Sequence, residues 1–270
     1  MRTTPSPSTA AGQACRGGGF NLLGEEEALS LLRACERGEG WLPHCIERGI
    51  FVLPTRELAE ALAGVIRTLA PRLLLEVGAG RGALARALRE CGAQLIATDP
   101  EAPGPGVPAG TRVGANAPTS LEPRLPRGAQ KSRLFAWGRV APGRGEPLPV
   151  ERLSAAEALA LYRPDMVVSV FPPVDSDLDR QVLSAPSVRW YLTLLHAGPG
   201  FEGSERLWRE AGERGFRARR LPEVEERAIC RHDYLADFAE NEVVRHTRAY
   251  LFARAGSGRG EDTRGSAEEP

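Results

Sequence analysis

Lysine is all but missing from this chain. Of its 35 basic residues only Lys131 is a lysine, and they face 35 acidic residues, so the formal net charge is zero. A neutral chain with interspersed acids lacks the electrostatic footprint of a nucleic-acid binder, and Arg217, Arg219 and Arg220 read as a solvated face. Together with 30 Gly and 22 Pro, the arginine bias reads as the mark of a GC-rich genome. Long apolar runs are also lacking, since none approaches the ~20 residues that a membrane span needs. Residues 1–7 are polar and Pro/Ser-rich with no apolar stretch behind them, which excludes a secretory signal and leaves a soluble, cytoplasmic protein as the expectation. The five cysteines (Cys15, Cys35, Cys45, Cys91, Cys230) are odd in number and contain no C-x-x-C, so no disulfide framework is expected. His44-Cys45 and Cys230-x-His232 could supply four soft ligands only if distant segments met, and no metal is expected.

What is present is material for one large domain: 270 residues, 42% hydrophobic, enough for a core that needs no staple. Residues 1–19 are a Pro/Ser/Gly-rich lead and 256–270 a Gly/Ser/charged tail, neither with apolar surface enough to offset its ordering entropy. Residues 20–70 read as a helical segment. Glu25-Glu26-Glu27 favour a helix start ahead of Leu29, Leu32 and Cys35. Thr55 caps a second helix whose stripe is Leu58, Leu62, Val65, Ile66 and Leu69, ending at Pro71. Residues 71–255 form an α/β domain interrupted by a Pro/Gly-rich insertion at about 101–149, too long for an ordinary connection. Within the domain, Ser154-Ala155-Ala156-Glu157 fits a capping box opening a helix through Leu161. Met166 to Val170 and Val188 to Leu195 read as buried strands, with room for two helical turns between them. Ser204 to Gly215 reads as a helix carrying Leu207 and Trp208 inward. Phe216 to Leu221 and Thr247 to Arg254 suit neighbouring antiparallel strands joined by a charged connection. There is no internal repeat.

The chemistry concentrates where Leu73-Leu74-Leu75-Glu76-Val77 runs into Gly78-Ala79-Gly80-Arg81-Gly82 and then a helical stripe of Leu84, Ala87, Leu88 and Cys91. Strand, glycine loop and helix let a ligand approach closer than a Cβ would allow. A second strand, Gln94 to Thr98, stops at Asp99-Pro100, and the strand-helix-strand order implies a right-handed parallel unit. Asp99 stands 19 residues after Gly80, where a carboxylate can accept from both hydroxyls of a ribose. The two features together imply an adenosine-containing ligand. Gly78-x-Gly80-x-x-Ala83 also satisfies the dinucleotide fingerprint. Three features favour S-adenosylmethionine over NAD: Glu76, an acid suited to a cation and repelled by pyrophosphate; Gly82, which tightens the loop around an amino-acid moiety; and the antiparallel C-terminal strand pair.

On these residues, with Thr98-Asp99-Pro100 and Pro164 to Pro173, the chain resembles the class I S-adenosylmethionine-dependent methyltransferases over about residues 54–254. The resemblance implies a Rossmann-like, doubly wound, mostly parallel sheet. It implies a cofactor site of Glu76, Gly78, Ala79, Gly80, Gly82, Asp99, Pro100 and Ser169, with Phe171, Pro172 and Pro173 facing the substrate. The Asn or Asp that amino-group methyltransferases often carry before Pro-Pro is replaced by Phe171, so methylation of a base or glutamine nitrogen is not implied. The expected acceptor is a small molecule, with neither nucleic acid nor membrane as partner. Methyl transfer is an in-line displacement for which positioning can suffice, and a base is required only for a protonated acceptor. By position after the fifth strand, His196 and Glu202 are the catalytic candidates, with Asp175 as a third possible base. The competing readings are an NAD(P)-dependent oxidoreductase and a non-catalytic binding protein of the same fold.

Overall fold

The computed structural model describes residues 22–36, 40–102, 150–173, 176–197, 205–235 and 243–256. The expected leading segment, nearly all of the 101–149 insertion and of the tail, Asp175 and Glu202 lie outside them. The elements run in the order α1 (Glu25–Glu36), α2 (Trp41–Arg48), α3 (Arg56–Leu69), β1 (Leu74–Val77), α4 (Ala83–Glu90), β2 (Leu95–Thr98) and β3 (Val150–Glu151), then α5 (Ala155–Tyr162), β4 (Met166–Val170), α6 (Leu178–Ser184), β5 (Trp190–His196) and α7 (Glu205–Glu213). The chain closes with β6 (Phe216–Arg220), α8 (Pro222–Glu225), β7 (Tyr234–Leu235), β8 (Val243–Val244) and β9 (Thr247–Arg254).

Seven strands form one sheet in the order β3-β2-β1-β4-β5-β9-β6. The first five are parallel, and β9 runs antiparallel between β5 and β6. This is the Rossmann-like sheet expected, with the antiparallel pair where the sequence placed it. Because β1 and β4 lie inside the sheet and are covered on both faces, every residue of β1 is buried. Strand alternation divides the core. Leu74, Met166, Val168, Leu192 and Leu194 pack against α3 and α4 on one face. Leu75, Val167, Tyr191, Leu195 and Phe252 pack beneath α5, α6 and α7 on the other.

Local chemistry starts the helices as the sequence indicates. Thr55 Oγ1 accepts the Leu58 N–H at 3.2 Å to cap α3. At α5 the capping box is complete: the Glu157 carboxylate accepts the Ser154 N–H at 2.8 Å, and Ser154 Oγ accepts the Glu157 N–H.

Two regions add elements to those marked in the sequence. Residues 41–48 form a helix that tolerates Pro43 because it falls in the first turn, where no intrahelical donor is needed. The connection between β6 and β9, expected only to be charged, holds α8 and the β7–β8 pair. It packs on the N-terminal helices through a third cluster of Ala28, Leu32, Trp41, Cys45, Leu53 and Ile229. Trp41 Nε1–H donates to the Cys230 carbonyl at 2.7 Å, and Glu25 pairs with both Arg227 and Arg245. No helix among the described residues is long and apolar enough to cross a membrane.

Candidate functional site

The glycine loop leaves β1 through three left-handed residues, Gly78 (φ +71°), Gly80 (φ +55°) and Gly82 (φ +72°). They do different jobs. A Cβ on Gly80 would meet nothing within 4 Å, and one on Gly78 would only touch Leu178 at 4.0 Å, so the surface above this part of the loop is open. A Cβ on Gly82 would stand 2.7 Å from Val150 Cγ2. Gly82 is therefore required by packing between α4 and β3, a different role from the ligand contact expected of it. The Ala79 amide donates to the Thr98 carbonyl at 3.0 Å, tying the loop to the end of β2.

Asp99 stands beside the loop, as expected. Its Oδ2 accepts the Gly80 N–H at 2.8 Å, and its Oδ1 accepts the Glu101 N–H at 2.8 Å across Pro100. The second bond is the turn that an Asp-Pro pair favours. Each oxygen keeps further lone-pair capacity, so the carboxylate is oriented by the backbone and still able to accept from a diol. Pro100 is exposed, and its carbonyl accepts from Arg152.

Glu76 is the anomaly of the site. It is 3% exposed at the base of the loop, and its Oε2 has no hydrogen-bond partner. Burial and then the neighbouring Asp99 charge push its carboxyl up to about 8, against a smaller opposing effect of the Ala85 amide at the start of α4. A buried carboxyl without a counter-charge is costly, and a cationic ligand group would supply what is missing.

The end of β4 is unusual in its backbone. Phe171 takes φ +50°, uncommon for a bulky residue, while its N–H donates to the Leu194 carbonyl at 2.8 Å. Phe171-Pro172-Pro173 thus leave β4 at its carboxyl end. Ser169 does not join this group. Alternation along β4 puts it on the face opposite Glu76, where its 1% exposed hydroxyl is shared with Tyr191 Oη at 2.7 Å and Thr193 Oγ1 at 3.0 Å. Tyr191 in turn donates to Asp179 Oδ1 at 2.5 Å. Ser169 thus belongs to a buried network fastening α6 under the sheet, which corrects its expected place among the cofactor contacts.

His196 ends β5 on the same face as Glu76, and two further histidines reach it. The rings of His196 and His232 meet edge to face at 4.3 Å, and those of His196 and His246 stack at 5.7 Å. No local signal marks this grouping, because His232 and His246 lie in the charged connection. The soft-ligand set does not assemble. His44 stacks on Trp41 at 5.6 Å, while Cys45 and Cys230 are buried thiols, the latter pushed up to about 12 by burial and by Asp233. Among the described residues no group of three His, Cys, Asp or Glu could hold a metal ion.

At the opposite, amino end of the strands a cleft of about 710 Å³ is lined by Arg72, Tyr162, Arg163, Asp165, Ser187 and Arg189. None of the expected site residues lies there.

No family model matches the chain, and no curated protein matches it. Among solved structures it is similar to magnesium protoporphyrin IX methyltransferase from Synechocystis PCC 6803 with bound SAM, at 13% identity over 74% of this chain and 79% of that one, with a TM-score of 0.40. It is also similar to the methyltransferase domain of bacterial CtHen1, at 11% identity over 73% of this chain and 99% of that domain, with a TM-score of 0.38.

Proposed function

We propose that the chain is an S-adenosylmethionine-dependent methyltransferase acting on a small-molecule acceptor. The observation that carries this reading is Glu76, a buried carboxyl with an unpartnered oxygen at the foot of a glycine loop whose outer surface is open. The donor set fits the cofactor group by group. Glu76 offers the ammonium group a buried carboxyl with an unpartnered oxygen, which that positive charge would favour as the carboxylate. The backbone at Gly78 and Gly80 allows close approach, and Asp99 offers acceptor oxygens to the ribose hydroxyls. A pyrophosphate-bearing dinucleotide would instead bring negative charge to Asp99 and to a buried Glu76 carboxyl already held protonated by its surroundings, which disfavours the oxidoreductase reading. When bound, the sulfonium supplies an activated methyl group. The chain's part is to hold the acceptor in line with it and to exclude water, with Phe171, Pro172 and Pro173 forming one wall. The zero net charge supports a small acceptor over nucleic acid.

Isothermal titration with S-adenosylmethionine, S-adenosylhomocysteine and NAD tests the reading. Micromolar affinity for the first two is the expected result. Binding of NAD with no response to the sulfonium compound overturns it. Labelled cofactor incubated with separated small-molecule, RNA and protein fractions of a lysate then identifies the acceptor class.

A further inference from the structure

Three of the four histidines arrive at the carboxyl end of β5 from three separate segments. The groups facing them are Arg231, Asp233 and Tyr234. Arg231 Nε–H donates to His232 Nε2 at 3.0 Å, so that nitrogen presents a lone pair and the neutral ring carries its proton on Nδ1. The same bond removes His232 Nε2 from any metal set. Asp233 is occupied: it accepts from the Cys230 amide at 2.9 Å, the Cys230 thiol at 3.1 Å and the His246 amide at 2.7 Å, and its Oδ1 stays 3.9 Å from His246 Nδ1. Tyr234 lies 5.2 Å from the His246 ring.

Register fixes where this cluster stands. Val170 of β4 pairs with Leu194, so His196 stands two residues further along, one strand from Pro172. Gly78 follows β1 at the level of Val170, two strands from β5, because Glu76 pairs with Val168. With strands about 4.8 Å apart and about 3.3 Å per residue, His196 lies about 12 Å from the loop, across the Phe171-Pro172 turn. That separation leaves room for a cofactor head and an acceptor between them.

We propose that His196 is the base that removes the acceptor's proton, with His232 and His246 as positioning residues, and that the acceptor is a hydroxyl of phenol or enol acidity. This rests on the methyltransferase reading above. Burial, His246 and Arg231 hold the His196 imidazole below its ordinary range, and His232 is pushed down to about 4, so both rings are neutral at pH 7. A neutral imidazole one strand from the Phe171-Pro172 turn suits a hydroxyl acceptor, and a phenol or enol is the hydroxyl that gives up its proton most readily, whereas a thioether or free amine acceptor needs no base at all. In the step, the acceptor O–H bond breaks with its proton passing to His196. The oxygen pair forms the O–CH3 bond, the methyl–sulfur bond breaks with its pair left on sulfur as a neutral thioether, and the imidazolium returns the proton to water.

The test uses the full chain with phenols of graded acidity. With S-adenosylhomocysteine present, 4-nitrophenol absorbance is titrated against pH. The expected result is a lower ionisation midpoint for the bound phenol than in water, lost in His196→Gln. With S-adenosylmethionine, His196→Gln should slow methylation of 4-methylphenol about 10²- to 10³-fold and that of 4-nitrophenol far less, because the latter is largely ionised already. His246→Gln should move the acid limb of the kcat profile to higher pH, because His246 is one of the groups that hold His196 below its ordinary range. Cofactor titration of each variant separates the two readings. Unchanged cofactor affinity with equal slowing of both phenols, or with no shift of the nitrophenol midpoint, overturns the base while the methyltransferase reading stands. Absence of cofactor binding in the wild type overturns both.

Discussion

Two acids are buried at opposite ends of the sheet, and they are treated in opposite ways. Asp165, 8% exposed at the amino end, accepts the Arg72 N–H at 3.0 Å and the Leu73 N–H at 2.8 Å, one on each carboxylate oxygen. Its carbonyl also receives the amides of Arg189 and Trp190, so one residue ties together the starts of β1, β4 and β5. Glu76, 3% exposed at the carboxyl end, has an oxygen with no partner and a carboxyl pushed up to about 8. Burial alone therefore does not distinguish scaffold from site. What does is whether the fold itself satisfies the group, and the amino end, despite its arginine-lined cleft, carries a satisfied carboxylate where the carboxyl end carries a waiting one.

Exchanging the two acids for their amides tests that contrast directly. Glu76→Gln should weaken S-adenosylmethionine binding by about 3 kcal/mol, a hundredfold or more, because a buried ammonium loses its counter-charge. The same change should stabilise the ligand-free protein at pH 8. The folded-state pKa of Glu76 is raised from 4.5 to about 8, so the native state holds its proton more tightly. That contribution is fully present below pH 4.5 and is lost as pH rises through 8, at up to about 1.4 kcal/mol per pH unit. Denaturant midpoints of the wild type should fall accordingly between those pH values, and Glu76→Gln should flatten the fall. Asp165→Asn should do the reverse. It leaves cofactor affinity within about threefold but costs about 2 kcal/mol of stability, or about 4–8 °C in Tm, as one strand-start amide loses its acceptor. Loss of cofactor binding in Asp165→Asn, or a Glu76→Gln variant that binds normally, removes the distinction.

Asp99 lies between these extremes, since both oxygens serve the backbone and both keep capacity for a ligand. Asp99→Ala should weaken cofactor binding by about 1.5–3 kcal/mol if the carboxylate also takes the ribose hydroxyls. An unchanged affinity by calorimetry would reduce Asp99 to a turn-former.

Most of the sheet could be read from the sequence because its signals are local. The apolar run into three glycines, the strand stopped by Asp99-Pro100 and the Ser154 capping box all act within a few residues. The place of Ser169 follows from alternation along Met166–Val170, which turns it to the face away from Glu76. The histidine cluster had no such signal. His196, His232 and His246 are brought together by β5 pairing with β9 and by the β6–β9 connection docking on Trp41. Those are contacts between remote segments that leave no period or spacing in the chain. Likewise, Glu76 was legible as an acid at the right place, but its burial and missing partner emerge only when α4 and Asp99 close around it.

The smallest effect tests the contrast inside the glycine loop itself. Gly80 and Gly82 share a left-handed backbone, so alanine at either carries the same conformational cost of about 1 kcal/mol. They differ in what the new methyl meets, which is open space at Gly80 and Val150 Cγ2 at 2.7 Å at Gly82. Gly82→Ala should therefore lose about 1 kcal/mol more stability than Gly80→Ala, with part of it recovered in a Gly82→Ala, Val150→Ala double variant. Gly80→Ala should instead show its excess cost in cofactor affinity, where the methyl occupies the space a ligand needs. If both variants lose stability equally and bind equally well, the loop does not divide into a packing glycine and a ligand glycine. The open surface above Gly80 would then have lost its meaning as a cradle.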